Sequence, residues 1–196
     1  MTIGNTTGTL NFTSNVTFGT PTTILGNTID LAAGVALSSG VNNLTLTADH
    51  SITLNPGSSI TSTSGNIVLE ANQQAIPTVG NFIGIYLAGA TIQSNSGSIA
   101  LTAQGGNTGS SNHGVNLSAA SQILTTDGAI TLTGSGGAGN DQNYGIFLID
   151  SNTRISSSTG AILLQGTGGT GVGNFNEGIR LQNGSQIIST GIGSVS

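Results

Sequence analysis

A short phrase led by glycine recurs along this chain at nearly constant intervals, and that recurrence limits what the chain can fold into. Gly-x-Ile-x-Leu begins at Gly65, Gly97, Gly128 and Gly160, and a truncated copy begins at Gly191, giving steps of 32, 31, 32 and 31 residues. A second phrase keeps the same time: Gly84-Ile85-Tyr86-Leu87, Gly114-Val115-Asn116-Leu117, Gly145-Ile146-Phe147-Leu148 and Gly178-Ile179-Arg180-Leu181. A third pairs an Ile with a hydroxyl two residues on: Ile60/Ser62, Ile92/Ser94, Ile123/Thr125, Ile155/Ser157 and Ile187/Ser189. Each unit thus carries three short segments of period-2 apolar spacing, which is strand spacing, and no segment shows the i, i+3, i+4 pattern of a helix. Ankyrin-like repeats of similar length need two helices per unit and are excluded.

Upstream the same segments come faster. Ile29/Leu31, Leu37 and Leu44 precede Ile52/Leu54, Ile60 and Ile67 by 23 residues each. The bare unit is therefore a 23-residue coil of three strands. The later units, 31–32 residues long, add eight or nine residues between the first and second strands. Those additions are loops such as Gln104–Gly109, Gly134–Gly139 and Gly166–Gly171. The pattern predicts an all-β, right-handed parallel β-helix, because a β-to-parallel-β crossover winds right-handed by default. It divides the chain into irregular N-terminal coils over 1–40, a short coil over 41–64 and loop-bearing coils over 65–196; before Ile24 the periodicity assigns no register.

Composition narrows function by exclusion. Charged residues make up 5% of the chain, with no lysine and a net charge of −5, against about 25% charged in an ordinary soluble protein. Nucleic acid, whose phosphates need clustered cations, is a poor partner, and so is an anionic membrane surface. No run is long enough for a transmembrane helix, so no membrane insertion is expected. The absence of cysteine removes disulfides and thiolate metal sites. No cofactor and no metal are predicted. His50 and His113 stand alone, and Gly136–Asp141 is a single partial match to a calcium nonapeptide that needs tandem copies. Asp30, Asp49, Glu70, Asp127, Asp141, Asp150 and Glu177 form no column of paired carboxylates such as glycoside hydrolysis requires, and no enzyme is predicted.

The candidate site is one corner. Asn81-Phe82, Asn112-His113, Asn143-Tyr144 and Asn174-Phe175 follow one another at 31 residues each. In a solenoid this spacing stacks Asn81, Asn112, Asn143 and Asn174 in one column beside Phe82, His113, Tyr144 and Phe175 in another. Tyr86 and Phe147 point outward beside them by strand alternation, so five of the seven aromatic residues gather here. Two readings stand: structural ladders that fix the loop bases, or a strip of rings that binds sugars or a partner surface. The hydroxyl column of Ser62, Ser94, Thr125, Ser157 and Ser189 points inward and reads as structural.

The phrases Gly-x-Ile-x-Leu-Thr, the Gly-Gly loops and Gly-x-x-Ile-x-Ser/Thr-x-x-Gly resemble filamentous-haemagglutinin-type exoproteins, β-helical surface proteins of Gram-negative bacteria, over residues 24–196. The resemblance implies export, a secreted or outer-membrane cell-surface location, a rod shape, and adhesion to glycans or to host or neighbouring cell-surface proteins, with the export signal outside this segment. The alternative is a polysaccharide-binding or -processing β-helix domain attached to a larger enzyme. The chain stops mid-repeat at Gly193–Ser196. It is expected to be part of a longer chain and to associate end to end when isolated.

Overall fold

The computed structural model describes Met1–Ser196. It is all-β, without a helix, and every strand pairing is parallel: the chain is a β-solenoid. The first part holds β1 (Thr2–Gly4), β2 (Thr9–Phe12), β3 (Val16–Thr17), β4 (Thr22–Leu31), β5 (Ala36–Ser38), β6 (Leu44–Leu54) and β7 (Ser59–Ser62). Then come four triplets: β8 (Ile67–Ala71), β9 (Ile85–Ala88) and β10 (Thr91–Ser94); β11 (Ile99–Gln104), β12 (Val115–Ser118) and β13 (Gln122–Thr125); β14 (Ile130–Ser135), β15 (Ile146–Ile149) and β16 (Arg154–Ser157); β17 (Ile162–Thr167), β18 (Ile179–Gln182) and β19 (Gln186–Ser189). Each strand of a triplet pairs with its counterpart in the next, so β8, β11, β14 and β17 lie side by side, as do β9, β12, β15 and β18, and β10, β13, β16 and β19.

The register follows the repeated phrases. Ile67, Ile99, Ile130 and Ile162 align across four strands, as do Ile85, Val115, Ile146 and Ile179. Ile60, Ile92, Ile123, Ile155 and Ile187 make the third column. Alternation sends these side chains inward. The core is one continuous cluster of 31 buried residues, mostly Ile and Leu at zero exposure. Each buried CH₂ contributes roughly 0.8 kcal/mol, and no coil can bury its own inner face unless its neighbours cover it.

The bend between the first and second faces positions the site. In the unlooped coils one strand covers both faces: β4 and β6 pair along their whole length, with a register shift between Gly26 and Thr28. A Cβ at Gly26 would lie 2.9 Å from both Thr28 O and Ile29 Cγ1, so the bend needs glycine. One coil later β6 pairs with two separate strands, Leu44–Ala48 with β8 and Ile52–Leu54 with β9. The first loop, residues 72–84, is inserted at that bend and splits the strand in two. The three later loops enter at the same place and stack on one another. Gly106 N–H donates to Phe82 O (2.9 Å), Gly137 N–H to Asn112 O (2.9 Å) and Gly169 N–H to Asn143 O (2.8 Å). A Cβ at Gly137 would overlap Gly106 O, which is why the loops are rich in glycine.

The first twenty residues, which the periodicity left without a register, also belong to the stack. Ile3 pairs with Ile24, Leu10 with Ile29, Phe12 with Leu31 and Val16 with Leu37. The separations from Ile3 to Ile24 and from Leu10 to Ile29 are 21 and 19, not 23: the link from Phe12 to Val16 is shorter than its counterpart from Leu31 to Leu37, while the Asn5–Gly8 turn adds residues between β1 and β2. Parallel pairing thus extends through β1, β2 and β3, at uneven spacing. At the other end Ile179 and Leu181 remain 40% and 45% exposed, since no further coil covers them.

Candidate functional site

The asparagine column exists and is buried at its two middle members, but its last member differs from the one expected. Asn112 and Asn143 have zero exposure. Asn143 Oδ1 accepts from Asn112 N–H (3.0 Å) and from Asn112 Nδ2 (3.1 Å). Asn176 Oδ1 accepts from Asn143 N–H (3.0 Å) and Nδ2 (3.1 Å) in the same way. Asn112 Oδ1 accepts from Phe82 N–H at 2.9 Å. With its amide oriented to suit its neighbours, Asn81 Nδ2 donates to Asn112 Oδ1 (3.0 Å), Thr108 O (3.3 Å) and Ser110 O (3.0 Å). The ladder is therefore Asn81, Asn112, Asn143, Asn176. Asn174 lies outside it and is exposed; its N–H donates to Asp141 Oδ1 (2.7 Å). The last loop and the turn between β15 and β16 are each one residue longer than their predecessors, so constant spacing pointed two residues short.

The ring column divides into two environments. His113, Tyr144 and Phe147 are 4%, 3% and 9% exposed and pack on one another. His113 stacks on Tyr144 with centroids 5.1 Å apart, and Phe147 lies against Tyr144 (4.7 Å) and His113 (5.2 Å). The loops fold back over the outer face of β12 and β15, so Phe147, which strand alternation places outside the coil, is sealed under them. The Arg180 guanidinium continues the stack, 5.4 Å from the ring centroids of both Tyr144 and Phe175, and pairs with Glu177 at 3.2 Å. Phe175 remains 54% exposed. Burial pushes the His113 pKa down to about 4. Its Nδ1 accepts from Tyr144 N–H (3.3 Å), a bond that a protonated ring would lose. Burial raises the Tyr144 phenol, with Arg180 acting against the rise and Glu177 with it.

Phe82 and Tyr86 stand apart from this sealed cluster. Both are half-buried and line an open groove of about 340 Å³ with Ser51, Thr53, Asn81, Ile83, Ser110 and Ser111. Ser51 and Thr53 come from β6, which carries no loop, and the opposite wall is the base of the first loop and the tip of the second. The groove exists because a looped coil sits beside a bare one. Phe82 packs on His50 with ring centroids 3.8 Å apart, and Tyr86 Oη lies 3.1 Å from Ser118 Oγ. Desolvation lowers the His50 pKa. The first loop is anchored differently from the glycine-rich ones. Buried Asn72 accepts from Thr78 N–H and Gln74 Nε2, while Thr78 Oγ1 and Gln74 Nε2 donate to Asp49 O. The distinct composition of residues 72–78 was the available sign of this cluster.

Four of the carboxylates tie neighbouring coils together. Asp30, Asp127, Asp141 and Asp150 each accept a hydrogen bond from the adjacent coil, from Asn55 Nδ2, Thr159 Oγ1, Asn174 N–H and Ala119 N–H. Of the inward hydroxyls, Ser62 donates to Gly40 O, Thr125 to Gly128 O and Ser189 to Gly193 O. No group of three His, Cys, Asp or Glu side chains is arranged to hold a metal ion. No protein-family model, curated protein or solved structure matches the chain.

Proposed function

We propose that this chain is a structural and adhesive segment of a secreted bacterial surface exoprotein of the filamentous-haemagglutinin type, working without catalysis. The observation that carries the reading is the unbroken stack. Strands pair in register from β1 to β19, and a second layer of loops, tied by the asparagine ladder, runs along one edge. Such a body holds surface residues at fixed spacing along its length, which suits display more than turnover. We read the winding as right-handed, with three strands per coil, 23-residue bare coils and 31–32-residue looped ones; the pairings Leu44↔Ile67 and Ile67↔Ile99 support those lengths. The partners proposed are glycans or cell-surface proteins of a host or neighbouring cell. The uncovered Ile179 and Leu181 favour end-to-end association of the isolated chain.

An antibody raised against the loop at residues 166–178 tests the location: intact cells of the source organism should be labelled. Labelling that requires lysis would overturn the surface reading. The alternative, a polysaccharide-binding domain beside a catalytic one, is favoured by the groove at Phe82 and Tyr86. It predicts that reading the flanking coding sequence reveals an enzyme domain, where the adhesin reading predicts more solenoid.

A further inference from the structure

We infer that the groove between the last bare coil and the first two loops is a subsite for one neutral pyranose unit of a glycan. The inference rests on the adhesive reading above and gives it a ligand class and a place. The groove's volume, about 340 Å³, lies at the small end of the range for ligand pockets. Its lining combines the Phe82 and Tyr86 rings with the hydroxyls of Thr53, Ser110 and Ser111 and the amide of Asn81. A pyranose presents the complementary pair: an apolar face of C–H groups and a rim of hydroxyls that both donate and accept.

Charge decides between sugar classes. No Asp, Glu, Lys or Arg lines the groove. The two arginines are committed elsewhere: Arg180 to Glu177 and the Tyr144 and Phe175 rings, Arg154 to Gln122 Oε1 at 3.5 Å. Uronic or sulfated sugars would lose water here without gaining a counter-charge. The rings are also held in place before any ligand arrives, Phe82 by His50 and Tyr86 by its bond to Ser118. Asn81 spends its Nδ2 on the second loop, which leaves its Oδ1 as an acceptor. Ordering cost on binding is correspondingly small. The other rings of the corner offer nothing comparable, since His113, Tyr144 and Phe147 are buried and Phe175 carries Arg180.

The test titrates the 196-residue protein with cello-, malto-, manno- and chito-oligosaccharides, and with oligogalacturonate and a heparin oligosaccharide, by calorimetry and by amide NMR shifts. At least one neutral probe should bind and shift Thr53, Phe82 and Ser111. Tyr86→Ala should weaken it about tenfold, Thr53→Val severalfold, and Phe175→Ala not at all. Tyr86→Phe keeps the ring and should retain most of the binding, which separates stacking from loss of fold. Failure of every neutral probe to bind, tighter binding of the anionic ones, or equal loss in Phe175→Ala would overturn the subsite. Cell attachment left intact in Tyr86→Ala would sink the subsite but not the adhesive reading, whereas absence from the cell surface would sink the latter alone.

Discussion

Replacing Asn143 with aspartate changes an NH₂ for an oxygen at a site of zero exposure and leaves shape almost untouched. Both acceptor bonds from Asn112 survive. Of the two bonds that Asn143 Nδ2 donates, to Asn140 O (3.2 Å) and Asn176 Oδ1 (3.1 Å), a neutral carboxyl replaces one through its O–H and a carboxylate neither. Each lost bond costs about 1 kcal/mol net, giving roughly 1 kcal/mol when the new carboxyl is neutral. When it ionises, the buried charge has no cation to meet, and its folded pKa is raised above the unfolded value near 3.9. With the folded pKa raised, the variant is least impaired below the unfolded value and loses stability as pH rises toward the folded one. A raise of about 2 units adds roughly 3 kcal/mol to the deficit. Asn143→Asp should therefore sit about 1 kcal/mol below the parent at pH 4 and about 4 kcal/mol below it at pH 8. Urea denaturation of both proteins at the two pH values measures the difference, and comparison with the parent removes the protein's own titration. Hydrogen exchange at the Asn112 amide, which donates to Asn143 Oδ1, reports locally. Equal stability of variant and parent, or a deficit that does not grow with pH, would refute the ladder as an energetic element.

Three further tests bear on the stack. The parent should lose stability as pH falls from about 6.5 to 4, because unfolded His113 takes up a proton that the folded ring, with its pKa near 4, refuses; the depressed folded value makes the loss about 3 kcal/mol, and His113→Phe should flatten that slope in pH-dependent melts. Ile130→Lys places an ammonium in the zero-exposure column between Ile99 and Ile162 and should unfold several coils at once, seen as loss of the main calorimetric transition; a parent-like melt would refute the inward assignment. At the Ser118–Ser121 turn, Ala119 and Ala120 hold φ of 54° and 65°, whereas the equivalent turn of the last repeat uses Asn183-Gly184. Ala120→Gly should stabilise by about 1 kcal/mol in the same denaturation assay, and a destabilised variant would show that the strain is not there.

Strand register in this protein was readable from residue order because a β-solenoid stacks each coil on a chemically similar one. An apolar pair that returns at a fixed interval must meet its own copy, so Ile67, Ile99, Ile130 and Ile162 align and the insertion point of the loops follows by subtraction. The same reasoning failed wherever the interval changed. The Asn5–Gly8 turn and the short link from Phe12 to Val16 hid the register of β1 and β2, and a longer last loop together with a longer turn before β16 moved the ladder from Asn174 to Asn176. What lay outside the coil was decided by tertiary structure alone. Alternation places Tyr86 and Phe147 on the same outer face, yet Phe147 is sealed beneath folded-back loops and Tyr86 opens into a groove. The difference arises because the coil before Tyr86 has no loop to cover it. Periodicity fixes which side of a strand a residue occupies, and only the neighbouring coils determine whether that side meets protein or water.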